Sequence, residues 1–327
     1  MRASVPPAQI APSILARSAF SPRPVEPWGG PGRLLEWQAS WPDQPPRQVW
    51  IWCPPGFRPG DGLPTLLFHD GQNVFQDSTS FAGSWRAATP LGALAEHRRP
   101  AVAVAVANGG RRRIDEYTPF VDPRHGGGGA EVYLDALERS VLSVLANERW
   151  VVPGRIRLVG SSLGGLVSLW SHFRRPDLFD GCAALSPSIW FARRAILGWL
   201  RRQRLTPGQR IYLDVGTAER GRPRRGMPIH FGSRRYVRSI DRVHTQLEAL
   251  GFRDEVDLRV VVDPDGTHSE RAWARRLPAA LDWMLAEGRE MPALLSPATA
   301  LGLSRADERG SDHERLRARS TASRQPA

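Results

Sequence analysis

The chain has 327 residues, with 45 cationic side chains against 33 acidic ones, a formal net charge of +12, and 41% hydrophobic residues. Every cation is an arginine; there is no lysine. This is the composition of a globular protein long enough to bury a large core, and the longest apolar run, Ala101 to Ala107, falls far short of the roughly 20 residues needed to span a bilayer.

Residues 1–31 are rich in proline and glycine, show no periodicity, and read as a disordered tail. Pro6, Pro7 and Pro12 would interrupt the apolar segment of a secretory signal, so a cytoplasmic location is expected. Cys53 and Cys182 form no metal or redox motif and read as buried free thiols. From residue 32 to 287, strand and helix patterns alternate within one domain. Short apolar runs at 33–40, 48–53, 65–70, 101–107, 156–160, 181–186, 210–216 and 255–263 predict about eight strands. Helical patterns fall at 84–97, 130–147, 163–174, 236–250 and 269–286. In the second of these, Val132, Leu134, Leu137, Val141, Leu142 and Leu145 form an apolar stripe. Nearly continuous apolar strands alternating with helices predict an α/β domain whose sheet is mostly parallel and covered on both faces. The first two strands follow each other without a helix and predict an antiparallel edge. Residues 288–327 are rich in Ala, Ser and Arg and read as a low-complexity, disordered tail.

Directly after the strand at 156–160 comes Gly160-Ser161-Ser162-Leu163-Gly164-Gly165, then a helical run. A G-x-S-x-G turn between strand and helix presents a serine above the sheet, with the helix N-terminus beneath it to favour developing negative charge. Ser162 is therefore the candidate nucleophile. In this arrangement the partners follow in the order serine, acid, histidine. His268 stands just past the last strand and before the last helix, where an imidazole can reach over the sheet edge. For the acid, Glu219 lies three residues beyond the seventh strand; Asp214, Asp263 and Asp265 remain alternatives. The backbone N–H groups of Leu163 and of Gln72, which follows the Asp70-Gly71 turn after the third strand, are candidate oxyanion donors.

Together HDGQNVF, RRRIDEYTPF, GSSLGG followed by LSPSIWF, VGTAE and DGTHSERAWARRLPAALDWM resemble the esterase family of α/β hydrolases that includes enterochelin esterases and feruloyl and acetyl xylan esterases. The resemblance spans about residues 45–286. It implies the α/β-hydrolase fold and a serine ester hydrolase with Ser162 as nucleophile, Glu219 as acid and His268 as base. It also implies that Arg113 and Tyr117 border the active-site mouth. Trp190 would wall the acyl pocket, with core packing as an equal alternative. No metal or organic cofactor is implied.

Seven arginines crowd residues 220–238, and Arg111 to Arg113 form a second cluster. One reading is a solvated basic loop. The other is an electropositive rim that draws in an anionic small-molecule ester such as a siderophore. Nucleic acid is not expected as a partner, because the remaining arginine is dispersed and no nucleic-acid-binding motif occurs. Three competing functions remain open: a feruloyl or acetyl esterase acting on carbohydrate, an acyltransferase to an alcohol, and a catalytically dead hydrolase fold that only binds.

Overall fold

The computed structural model describes residues 20–221 and 231–286. Nine strands form one sheet, in the order β1 (Arg23–Pro24), β2 (Arg33–Trp41), β3 (Gln44–Cys53), β5 (Val102–Val106), β4 (Thr65–Phe68), β6 (Ile156–Ser161), β7 (Phe179–Leu185), β8 (Arg210–Gly216) and β9 (Leu258–Asp263). The pairs β1–β2, β2–β3 and β3–β5 are antiparallel, and from β5 onward every pairing is parallel. The antiparallel edge is thus where the missing helix places it.

The ninth strand falls inside the segment read as a tail. Arg23 and Pro24 pair with Glu36 and Leu35, while Phe20 lies edge-on to both Trp37 and Trp150. The folded domain therefore begins before residue 32. A two-residue strand that follows Pro22 and itself contains Pro24 carries no alternation to reveal it. Residues 1–19 and 287–327, which make up most of the two expected tails, lie outside the described residues.

Alternation along each strand sends side chains to two separate apolar layers. Val49, Ile51 and Cys53 enter one, with Leu67 and Leu158; Trp50 and Trp52 enter the other, with Leu66 and Phe68. The first layer is covered by α3 (Ala130–Leu137), α4 (Ser143–Asn147), α5 (Leu163–Arg174), α6 (Ala195–Leu200) and α7 (Phe231–Leu250). The second is covered by α1 (Ala88–Glu96) and α8 (Glu270–Leu285). The helix expected at 130–147 is interrupted by a π turn at Glu138–Leu142. The stripe is shifted too: Val132 is exposed, and Ala130 and Tyr133 are buried in its place. Cys53 and Cys182 are free and fully buried, and burial pushes the Cys53 thiol up to about 11.

A short helix, α2 (Arg113–Glu116), is tied to the antiparallel edge by a buried ion pair. Arg47 donates to both carboxylate oxygens of Glu116, at 2.9 and 2.7 Å, and the Gly109 N–H donates to the same group. A buried pair of this kind is fully hydrogen-bonded, so losing either partner strands a charge.

Two buried histidines carry a cost that depends on pH. Neither ring nitrogen of His172, on α5, has a partner among the described residues, and burial pushes its pKa down to about 3. His69, after β4, is pushed down to about 4 by burial. In the unfolded chain both would titrate near 6.5. As pH falls below that value the unfolded state takes up protons that the native state refuses, so stability declines toward the folded-state values. His172→Phe is expected to flatten the fall in urea-unfolding free energy between about pH 7 and about pH 4.5. An unchanged slope would show that His172 does not contribute.

Candidate active site

Ser162 occupies the tight turn between β6 and α5, at φ 55° and ψ −119°. Its N–H donates to the Leu185 carbonyl at the end of β7, and its carbonyl accepts from Leu166 and Ser188. The turn closes only because Gly160 has no side chain: a Cβ there would collide with the Gly164 carbonyl. At Gly164 a Cβ would come within 3.2 Å of Asp70 Oδ2, so the elbow and the loop after β4 abut.

His268 Nε2 is 2.9 Å from Ser162 Oγ, and its Nδ1 is 2.6 Å from Glu219 Oε2. Burial opposes ionisation of Glu219, but the hydrogen bond from His268 and its charge, with those from the Ser186 hydroxyl and the Gly216 N–H, bring its pKa below the usual value. An ionised carboxylate only accepts, so Nδ1 carries a proton; in the neutral imidazole Nε2 is then free to receive the one on Ser162. The acids left open by the sequence lie elsewhere. Asp214 accepts from the Ser186 N–H, Asp263 pairs with Arg275, and Asp265 offers its backbone N–H to Thr217. One neighbour went unnoticed in the sequence: Ser188 Oγ lies 3.2 Å from Ser162 Oγ. With the Ser162 proton directed at His268, the Ser188 hydroxyl is the donor in that contact.

The loop after β4 is held by its own salt bridge. Asp70 adopts φ 55°, and a Cβ on Gly71 would strike the backbone of Ala105. Arg113 donates to both Asp70 oxygens at 2.7 Å, and Asn108 adds a bond of 2.6 Å. Gln72 is the middle residue of the one-turn helix Gly71–Asn73, whose bonded amides begin at Asn73. Its N–H and that of Leu163, the first residue of α5, thus precede the bonded ladder of their helices. Asn73 donates to Glu270 at the start of α8, which also accepts from Trp85, so the same helix that follows His268 braces this loop.

Two residues expected at the mouth turn out to be supports. Tyr117 is fully buried, and its hydroxyl accepts from the Asp70 N–H, which excludes contact with a ligand. Arg113 has its guanidinium engaged by Asp70 and lies over the Tyr117 ring. Both hold the β4 loop in place. The family resemblance implied a place at the mouth but could not show which way they face. Trp190 is 39% exposed and forms part of a cavity wall.

Tyr236, in the wall of that cavity of about 960 Å³, lies 5.6 Å from the His268 imidazole, centroid to centroid. The cavity is lined by Arg124, by Arg193 and Arg194 from the segment after β7, by Arg220, and by the α7 residues Arg235, Arg238 and Arg242. Arg235, Arg238 and Arg242 share one face of α7 by their spacing. Ala192, Arg193 and Arg194 all have positive φ, at 44°, 54° and 67°. That left-handed run gave no signal in the sequence, and Arg193 and Arg194 were missed. Of the basic segment 220–238, Arg222, Arg224 and Arg225 lie outside the described residues.

A mostly parallel sheet sandwiched between helices, with a serine raised on a strand–turn–helix elbow beside a histidine and a carboxylate, defines an α/β hydrolase. Residues 44–284 match the family described as "Putative esterase", and the chain belongs to that family. The Bacillus subtilis (strain 168) protein YbbA is 25% identical over 257 residues, which is 74% of this chain and 94% of its own length. The siderophore triacetylfusarinine C esterase of Aspergillus fumigatus is 35% identical over 144 residues, 41% of this chain and 47% of its own. This chain thus matches about half of that relative. The crystal structure of the enterobactin esterase FES from Shigella flexneri superposes with a TM-score of 0.57 at 19% identity, covering 80% of this chain and 60% of that one. At that identity the likeness is one of fold.

Gly160→Ala is expected to displace the elbow. Covalent labelling of Ser162 by a fluorophosphonate should fall by at least about tenfold, given the sensitivity of attack geometry to small displacements. Unchanged labelling would show that the turn does not need the glycine.

Proposed function

We propose that this protein is a serine carboxylic-ester hydrolase, with Ser162 as nucleophile, His268 as general base and acid, and Glu219 as the group that orients the imidazole. The observation that carries the reading is the unbroken run of hydrogen bonds from Glu219 through His268 to Ser162 Oγ. His268 Nε2 takes the Ser162 proton as Oγ attacks the ester carbonyl carbon. The carbonyl oxygen becomes an oxyanion, which accepts from the Leu163 and Gln72 N–H groups. The imidazolium, stabilised by Glu219, then gives its proton to the departing alcohol. Water, deprotonated by the same nitrogen, attacks the acyl-enzyme; the acid is released and Ser162 regains its proton.

For the substrate we propose an anionic siderophore ester. None of the arginines around the cavity has an ion-pair partner among the described residues, and the sole acid in the lining, Asp122, is paired with His125. Unpaired guanidiniums facing one space favour a ligand with several negative charges. A ferric tricatecholate carries such a charge, whereas a ferric trihydroxamate is neutral. Cutting the ester backbone of the former would loosen its grip on iron.

Ser162→Ala is expected to reduce turnover of p-nitrophenyl butyrate by about 10⁴-fold or more, with an unchanged circular dichroism spectrum. Residual activity near that of the parent would remove Ser162 from the role of nucleophile. The substrate reading has a separate test. Replacing Arg193, Arg194 and Arg238 with Gln should raise KM for a ferric tricatecholate trilactone by about tenfold or more, as charge-assisted hydrogen bonds are lost, and leave p-nitrophenyl butyrate hydrolysis unaffected. Equal KM values in parent and variant would exclude the cavity from recognition. Better turnover of a neutral trihydroxamate ester would point to a different siderophore class.

A further inference from the structure

Behind Glu219 lies a polar cluster that the mechanism above does not use. Ser186 closes β7 at φ 43° and is fully buried. Its Oγ has three neighbours: Glu219 Oε1 at 2.6 Å, Arg276 Nη2 at 2.8 Å and Trp273 Nε1 at 3.2 Å. A guanidinium and an indole can only donate. Both therefore direct protons at the Ser186 oxygen, and the single hydroxyl proton has Glu219 as its acceptor. The direction of all three bonds follows from the residue types.

Arg276, on α8, is only 6% exposed. Besides Ser186 it faces three carboxylates, with Nε 3.4 Å from Asp214 and Nη1 3.9 Å from Glu219 and 3.8 Å from Asp263. Asp214 in turn holds the backbone N–H of Ser186, through its side chain at 2.9 Å and its own carbonyl at 3.0 Å. Ser186 is thus fixed from both sides, in a left-handed conformation that aims its hydroxyl at one oxygen of the acid. Hydrogen bonds in series polarise one another in a medium of low dielectric constant, and a cation at the head of the series strengthens the last donor.

The geometry points to Ser186 and Arg276 as positioning residues of this site. Arg276 polarises the Ser186 hydroxyl. That hydroxyl and the Gly216 N–H, 2.6 Å away, occupy Glu219 Oε1 and leave Oε2 to His268. The inference rests on the reading of Ser162, His268 and Glu219 as the hydrolytic machinery. It adds two residues from separate places in the fold, the residue after β7 and the second turn of α8. Without Ser186 the carboxylate keeps one donor on Oε1 and is free to rotate about its terminal bond, so the imidazole loses its fixed orientation.

The test uses the full chain and two readouts. Ser186→Ala is expected to lower kcat for p-nitrophenyl butyrate by about ten- to a hundredfold, the value of one hydrogen bond to a charged group expressed as a rate. KM should stay within about twofold, because the group does not bind substrate. In proton NMR of the substrate-free protein, the low-field resonance of His268 Nδ1–H, identified by its loss in Glu219→Gln, should weaken or vanish in Ser186→Ala. A folded Ser186→Ala protein with parental kcat and an unaltered resonance would overturn the inference. If that variant does not fold, Arg276→Lys gives the second reading. It keeps a cation against Asp214 and Asp263 but gives up the planar fork that reaches Ser186, so an unaltered resonance and rate there would equally overturn it. A parent protein inert toward every ester would defeat the hydrolytic reading instead. The resonance needs no substrate and would still decide whether Ser186 holds Glu219 against His268.

Discussion

Ser162 is held at φ 55° and ψ −119°, outside the regions that L-residues favour, at a cost of about 1–3 kcal/mol. The strain is borne by two neighbouring strands and a helix. The Leu185 carbonyl at the end of β7 takes its N–H, its own carbonyl is bonded by Leu166 and Ser188, and the bare Cα of Gly160 leaves room for Gly164. The remaining functional groups are registered to this point. The β4 loop touches Gly164 through Asp70, His268 approaches from the far edge of the sheet, and Ser188 stands beside the hydroxyl. A serine in relaxed backbone geometry would lie closer to the sheet and out of line with these partners.

The parts of the fold that are periodic or local in the chain were legible from sequence. Strand runs separated by helical stripes show a covered parallel sheet, and the G-x-S-x-G turn with the chain order of acid and base led to Glu219 and His268, which the structure brings together with Ser162. What sequence could not show is direction. Tyr117 and Trp190 are both aromatic and both near the mouth, yet one is fully buried beneath the Asp70 loop and the other stands 39% exposed in a cavity wall. Ser186 and Ser188 sit two residues apart and look alike; a left-handed turn sends one to the acid and the other to the nucleophile. β1 escaped notice because two residues cannot display a period.

The net charge of +12 likewise means something different once it is located. Several arginines elsewhere are engaged by neighbours: Arg174 pairs with Glu131, Arg175 with Glu138 and Asp177, and Arg253 with Asp257. Exposed pairs such as these contribute little to stability. Seven arginines with no ion-pair partner among the described residues line one cavity, five of them placed there by a face of α7 and by the left-handed run at Ala192–Arg194. Part of a global surplus that suggested no particular partner is thereby concentrated around one space.

α8 joins groups that would otherwise be independent. His268 immediately precedes it, Glu270 braces the β4 loop through Asn73, and Trp273 and Arg276 reach Ser186 behind the acid. At its other end Arg210 bonds the Trp283 and Ala286 carbonyls, and Arg157 bonds that of Met284. Base, oxyanion loop and acid support therefore undock together whenever this one helix leaves the sheet. The same helix buries nine residues, seven of them, Trp273 and Trp283 included, in the second apolar layer. The packing of that layer and the alignment of the site are therefore one cooperative property of the chain, secured by a single element.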